Sequence, residues 1–148
     1  MDVSDASESE GVMIALLPAN DDWCKIALPH LTLVYAGVKS ELTPGDFSEL
    51  AKDAAMLAAL SRGIGLRVVA KEAFGSNGDV DAFRLQPTTE LLAMRRSVEH
   101  WNKSEHPFNP HVTIGPAGTP VDVVPPAIYF DRVYVGWGDD SLTFWLKR

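Results

Sequence analysis

A nine-residue segment occurs twice in this chain, and it constrains the fold more than any other feature of the sequence. Residues 29–37 read Pro-His-Leu-Thr-Leu-Val-Tyr-Ala-Gly, and residues 110–118 read Pro-His-Val-Thr-Ile-Gly-Pro-Ala-Gly. Both copies are typical of a β-strand, on which a His and a Thr two positions later point to the same face. The apolar residues that flank each Thr then point to the opposite face. If the two strands lie side by side, two His and two Thr side chains converge on one spot.

Two imidazoles and two hydroxyls together suit the cleavage of a phosphodiester. One imidazole can deprotonate the nucleophile and the other can protonate the leaving oxygen, because an unperturbed His has a pKa of about 6.5. The hydroxyls can hold the non-bridging phosphate oxygens for in-line attack, and the scheme needs no metal or cofactor. A single His-x-Thr on a strand is more often structural, but two copies in the same context favour function. We therefore predict that His30, His111, Thr32 and Thr113 are catalytic.

The rest of the chain predicts seven strands and two helices, in the order β-β-α-β and then β-α-β-β-β. Two similar halves in this order indicate an α+β protein with a pseudo-repeat. The strands are predicted at residues 12–17, 30–36, 64–74, 80–85, 111–114, 127–136 and 141–147. One helix is predicted from a Thr43 cap to Gly63, and the other from Thr88 or Thr89 to about Asn102. The side chains expected to face inward from the helices are Phe47, Leu50, Ala51, Ala54, Leu57, Leu60, Leu91, Leu92, Val98 and Trp101.

Length and composition bound the class of protein. The chain has 148 residues, of which 46% are hydrophobic, which is enough for one domain with its own core. We assign that domain to residues 11–148 and expect residues 1–10, which are acidic and Ser-rich, to form a disordered tail. Cys24 is the only cysteine, which excludes an internal disulfide scaffold, and no apolar run is long enough to span a membrane. These features favour a cytoplasmic protein.

Charge restricts the partners. The net charge is −7, and four of the acidic residues lie in the first ten positions, which leaves about −3 for the remainder. Such a domain lacks the positively charged surface that binds the phosphates of long nucleic acid. We therefore expect a small nucleotide or short oligonucleotide as substrate, with no long nucleic acid and no membrane as partner, and we expect a monomer.

The paired His-x-Thr motifs, about eighty residues apart, closely resemble those of the 2H phosphoesterase superfamily. Its members include the LigT-like proteins, often labelled 2′-5′ RNA ligases, and the cyclic nucleotide phosphodiesterases. The resemblance extends from about Gly11 to the C-terminus. It implies a bilobal, pseudo-symmetric fold, with two antiparallel-rich sheets around a cleft and one helix in each lobe. It also implies that His30 and His111 are the acid and the base, and that Thr32 and Thr113 hold the phosphate.

The resemblance further implies a metal-independent phosphodiesterase. Members of the superfamily act on 2′,3′-cyclic phosphates, 2′-5′ linkages or cyclic oligonucleotides, by hydrolysis or transfer. Some phages use such enzymes against bacterial defence signals, and the stretch from Met13 to Gly37 looks similar to phage members. The alternatives are a module that sequesters a nucleotide without cleaving it and a phage accessory protein with a vestigial 2H fold. The sequence leaves base preference, linkage and the assignment of acid and base open.

Three aromatic residues are candidates for binding the substrate, because they lie in or next to loops near the predicted cleft. These residues are Trp23, Phe74 and Phe108, and packing is the alternative for each. Tyr35 is expected in the core, because strict alternation from His30 turns it to the apolar face. His106 and His111 lack a third ligand at a useful spacing, so no metal site is predicted.

Charged candidates are less well defined. His100, like the Arg95-Arg96 pair, is expected on a solvated helix face. The cations that could bind phosphate are Lys25, Arg67, Lys71 and Arg84, and the sequence does not choose among them.

Overall fold

The computed structural model describes residues 10–24, 26–75 and 77–148. These residues form seven strands and two α-helices in the predicted order, so the α+β class is confirmed. In chain order the elements are β1 (Gly11–Pro18), β2 (Leu31–Val38), α1 (Pro44–Leu60), β3 (Ile64–Phe74), β4 (Val80–Leu85), α2 (Thr89–Val98), β5 (His111–Pro116), β6 (Ala127–Trp137) and β7 (Asp140–Trp145). Apart from Glu10, the predicted disordered tail lies outside the described residues.

All seven strands belong to one antiparallel sheet, in the order β1-β2-β5-β4-β3-β6-β7. β6 also pairs with β1, which closes six of the strands into a ring. The two repeated segments supply β2 and β5, which are neighbours and share a single register pair, Leu31 with Val112. The sheet therefore has two halves, β1-β2-β6-β7 and β3-β4-β5, which meet where the two repeats touch and again where β3 pairs with β6.

One face of the sheet is apolar and carries the core. α1 packs against β6 and β7, and α2 packs against β2 and α1. The fully buried side chains between strands and helices include Ile14, Leu16, Leu31, Leu50, Leu66, Phe83, Leu91 and Phe130. Neither α-helix in the described part of the chain has the length and apolar character needed to cross a bilayer. The opposite face, called the polar face below, carries the His and Thr side chains of both repeated segments.

Both predicted helix starts are confirmed by their caps. Thr43 and Asp46 form a reciprocal capping box, with 3.1 Å from the Asp46 amide to Thr43 Oγ1 and 2.9 Å from the Thr43 amide to Asp46 Oδ2. Thr88, rather than Thr89, caps α2 by accepting from the Leu91 amide. α1 ends at Leu60, with Ser61 as its C-cap, so the predicted stop at Gly63 is three residues too late.

The prediction of inward-facing helix residues is wrong for two leucines, Leu92 and Leu60. Leu92 is 42% exposed, because successive residues turn by about 100° and Leu91 takes the buried stripe with Met94 and Val98. Leu60 is 73% exposed and borders an open groove of about 500 Å³ between the helices. The second helix is also shorter than predicted, since a 3₁₀ turn at Glu99–Trp101 follows Val98.

Among the five register shifts in the described part of the sheet, two β-bulges change which face nearby residues occupy relative to a regular strand. In β2, Thr32 pairs with Ala15 and Val34 with Ile14, so Leu33 is an extra residue. An extra residue reverses the alternation beyond it. Tyr35, opposite Met13, therefore shares the polar face with Thr32, and the prediction that it faces the core is wrong.

The second bulge lies in β3. Val68 pairs with Leu85 and Ala70 with Arg84, which leaves Val69 as the extra residue. In a regular strand Ala70 would share the face of Val68. The bulge moves Ala70 to the opposite, polar face, beside Arg84.

Candidate active site

The register of β2 and β5 brings the four motif residues together. Because Leu31 pairs with Val112 in antiparallel strands, Thr32 lies opposite His111, and the same register places His30 opposite Thr113. All four residues are half-buried, and they lie on the polar face. Directly opposite residues in such pairs have Cβ atoms about 5 Å apart, and diagonal neighbours about 7–8 Å. The two imidazoles are therefore diagonal, and each has the other motif's hydroxyl as its direct neighbour.

Both imidazoles are held in the same way. His30 Nδ1 lies 3.0 Å from the carbonyl oxygen of Leu28, and His111 Nδ1 lies 2.8 Å from that of Asn109. A carbonyl oxygen can only accept, so Nδ1 carries the proton in each ring. Nε2 is then the atom that gains or loses a proton, and it makes no hydrogen bond within the described residues. Each His is thus oriented to act as an acid or a base through Nε2.

The carbonyl that orients His30 comes from an unusual backbone conformation. Leu28 has a φ of +53° and is the only non-glycine residue with positive φ in the described segments. This region of φ/ψ space is uncommon for a bulky side chain and is often found at functional sites. The conformation brings the Leu28 carbonyl within bonding distance of the imidazole two residues later.

His111 borders a cavity of about 570 Å³. The walls are Thr32–Tyr35 of β2, the end of the β3–β4 hairpin, Arg95 of α2 and the segment that leads into β5. The Phe74 ring stacks on the His111 imidazole, with 4.2 Å between ring centroids and 15° between planes. Phe74 pairs with Val80, four positions along β4 from the Arg84 that pairs with His111. The hairpin must therefore bend over the polar face to bring the two rings together.

A model of the 2′-5′ RNA ligase superfamily matches residues 21–133, about three quarters of the chain. The chain belongs to this superfamily. The match includes both His-x-Thr motifs, and it confirms the resemblance to 2H phosphoesterases drawn from those motifs. Comparison with curated protein sequences gives no significant match.

Solved structures of this fold agree with the assignment. TT0787 of Thermus thermophilus superposes with a TM-score of 0.63 at 15% identity, over 93% of this chain and 98% of that one. Escherichia coli LigT complexed with 3′-AMP gives 0.58 at 17% identity, over 94% and 96%. Usb1 of Kluyveromyces marxianus gives 0.58 at 11% identity, over 95% and 100%. At these identities the likeness confirms the LigT-like fold.

The aromatic candidates fall in different places on this superfamily fold. Phe74 and Phe108 both line the cavity beside His111, and the guanidinium of Arg95 lies 4.7 Å from the centre of the Phe108 ring. Trp23 lies outside that cavity. Its ring packs against Phe83 on the apolar face, at 5.8 Å between centroids, and borders a separate cavity of about 290 Å³.

The cationic candidates are also separated. Arg84 pairs with His111 across β4 and β5, whereas Arg67 pairs with Ala127 at the far end of β3. Lys71 lies on the apolar side of the hairpin, 3.5 Å from Asp81 Oδ2. Lys25 lies outside the described residues.

The two histidines outside the motifs, His100 and His106, lie in different surroundings. His106 lines the cavity beside His111. His100 is exposed, as predicted, and its Nε2 lies 3.0 Å from Asp53 Oδ2.

Sequence reasoning missed two cavity residues. The Arg95 side chain, expected on a solvated face, is 16% exposed, and its Nε donates to the Leu33 carbonyl at 3.2 Å. Asn102 accepts from the Tyr35 amide at 3.2 Å through Oδ1. Both contacts depend on the path of β2 at and after its bulge, which the local sequence pattern does not indicate. In the sequence, the only indications of these roles were that Asn102 is a polar residue at a helix end and that Arg95 is a basic residue next to the buried Met94.

Proposed function

We propose that the protein is a metal-independent phosphodiesterase that cleaves cyclic, 2′-5′ or 3′-5′ phosphodiester bonds of nucleotides or short oligonucleotides. The observation that carries the proposal is the register pair of Leu31 with Val112, which assembles two His-x-Thr motifs on one face. Membership of the 2′-5′ RNA ligase superfamily supports a phosphoester-processing activity. Cyclic oligonucleotide signals of bacterial defence, the targets of phage members, belong to the same substrate class.

The mechanism follows from the oriented rings. One imidazole, neutral at Nε2, accepts the proton of the attacking water or of a substrate 2′-hydroxyl. The other, protonated at Nε2, donates its proton to the departing oxygen. Thr32 and Thr113 donate hydroxyl hydrogen bonds to the non-bridging oxygens, where charge builds up in the transition state. Because the rings are diagonal across the strand pair, a phosphate between them has one imidazole near each end of an in-line path.

A nucleotide suits the cavity beside His111. The cavity has the volume of a small-ligand site and three aromatic rings, from Tyr35, Phe74 and Phe108, that can contact a base. Crystal structures of E. coli LigT with 3′-AMP, ATP and NADP⁺ support nucleotides as the ligand class for this fold.

The test is cleavage in the presence of EDTA. The protein is incubated with nucleoside 2′,3′-cyclic phosphates, 2′-5′ dinucleotides and cyclic di- and trinucleotides, and the products are read by mass spectrometry. Wild type should cleave at least one class, and the double variant His30→Ala/His111→Ala should cleave none. Tight, stoichiometric binding of an intact ligand would instead favour a sequestering module. Cleavage that EDTA abolishes would overturn the metal-independent mechanism.

The two threonines should contribute individually to turnover. Thr32→Val and Thr113→Val keep the shape of the side chain but remove the hydroxyl. We expect each to lower kcat/KM by about tenfold to a hundredfold, because a hydrogen bond to a charged group is worth about 1.5–3 kcal/mol. Steady-state kinetics on the cleaved substrate measures the effect. Thr143→Val, at an exposed position on the edge strand β7, is the matched control and should leave the rate unchanged.

A further inference from the structure

The charge beside the two His-x-Thr motifs on the polar face differs between its β1 side and its β4 side. On the β1 side, the residue opposite Thr32 is Ala15, which is fully buried. On the β4 side, the residue opposite His111 is Arg84. No residue of β1 (Gly11–Pro18) is charged, so only the His111 motif has a cation at a position directly beside it. The two halves of the site, although similar in sequence, therefore differ in charge.

Arg84 is held in place by Glu72. Its Nε donates to Glu72 Oε1 at 2.9 Å, and the two side chains are 35% and 38% exposed. Glu72 lies on β3 and His111 on β5, so the carboxylate is on the far side of Arg84 from the imidazole. The ion pair uses one of the five donors of the guanidinium.

The remaining donors distinguish Arg84 from two other arginines near the polar face. Arg95 bonds the Leu33 carbonyl through Nε and Glu99 through Nη1. Arg132 bonds Asp131 through Nε and the Pro18 carbonyl through Nη2. Nη1 and Nη2 of Arg84 make no hydrogen bond within the described residues. Arg84 alone of the three presents a two-nitrogen edge without a protein acceptor in the described chain.

We propose that Arg84 binds a non-bridging oxygen of the scissile phosphate from the β4 side, next to Thr113 and His111. This inference rests on the proposed function for its substrate, and it adds a charged phosphate ligand that fixes substrate orientation. A guanidinium edge matches two phosphate oxygens and forms charge-assisted hydrogen bonds. Since β1 (Gly11–Pro18) has no charged residue, the phosphate oxygens face β4, and a substrate cannot bind in the reversed orientation with equal affinity.

The first measurement is binding, because it does not depend on cleavage. Inorganic phosphate and adenosine 3′-monophosphate are titrated at low salt by calorimetry into wild type, Arg84→Gln and Arg96→Gln. Arg96 is exposed on α2, so its replacement makes the same charge change away from the site. We expect Arg84→Gln to weaken phosphate binding by about tenfold to a hundredfold, and Arg96→Gln to leave it unchanged. Equal affinities of the two variants, or no binding of phosphate by wild type, would overturn the inference.

Kinetics then separates this inference from the proposed function. On a cleaved substrate, Arg84→Gln should lower kcat/KM by a similar factor. If wild type and Arg84→Gln cleave at the same rate, the inference fails while the two-His function stands. If phosphate binding depends on Arg84 but no phosphodiester is cleaved, the anion site stands and the function fails. Arg84→Met, which keeps the unbranched stem, replaces Arg84→Gln if thermal unfolding shows that the latter does not fold.

Discussion

Replacing either His30 or His111 by Ala should lower kcat by about 10²–10⁴-fold, which corresponds to about 3–5 kcal/mol of activation free energy. Each imidazole is anchored through Nδ1 to a carbonyl two residues earlier, so each presents Nε2 to the substrate. An Ala at either position removes the proton acceptor or the proton donor and leaves the strand pair intact. Single-turnover kinetics with saturating substrate measures this loss without a contribution from product release.

The double variant tests whether the two rings act in one step. If one imidazole accepts a proton while the other donates one, removing the first already disables the concerted path, and removing the second costs little more. We therefore expect the double variant to be about as slow as the slower single variant. His100→Ala is the control, because that ring bonds Asp53 away from the active face. Near-wild-type turnover by both single variants would contradict the assignment of acid and base to these residues.

Replacing Phe83 by Ala should lower the free energy of unfolding by about 3–5 kcal/mol, the usual cost of truncating a buried aromatic side chain. Phe83 is fully buried on β4, between Val112 of β5 and Lys71 of β3. Its ring contacts Trp23, in the segment that leads to His30. The variant thus loses packing behind one His-x-Thr motif and in the segment that leads to the other. A domain with about 5–15 kcal/mol of stability would lose a large share of it.

Urea denaturation followed by circular dichroism and by tryptophan fluorescence measures this change. Val69→Ala is the control on the same hairpin, since Val69 is the bulged residue and is 39% exposed. We expect it to change the free energy of unfolding by about 0.5 kcal/mol or less. Similar denaturation midpoints for Phe83→Ala and Val69→Ala would show that Phe83 is not a central core residue.

The four residues of the proposed active site could be identified from the sequence because the His-x-Thr motif is local and occurs twice. The side-chain period of a strand is 2, so His and Thr two positions apart share a face in any register. The helix cap at Thr43 was readable for the same reason, and the second cap was narrowed to Thr88 or Thr89, since a cap involves residues only three positions apart. The element order, and with it the α+β class, followed from these short-range patterns.

The bulges at Leu33 and Val69 could not be read in this way. Nothing in the residues around Leu33 distinguishes it from an ordinary strand position, and the bulge becomes apparent only in pairing with β1. Because of that bulge, Tyr35 lies on the polar face and not in the core, where a regular strand would place it. The bulge at Val69 likewise moved Ala70 to the face of Arg84.

The sequence by itself determined which four side chains the proposed chemistry uses and which elements present them. The tertiary structure alone decided that Leu31 meets Val112, and therefore that each His faces the other motif's Thr. It also decided that Arg84, rather than Arg67 or Lys71, stands beside His111. The physical reason is that alternation and capping are local, whereas strand register is set by packing between residues far apart in the chain.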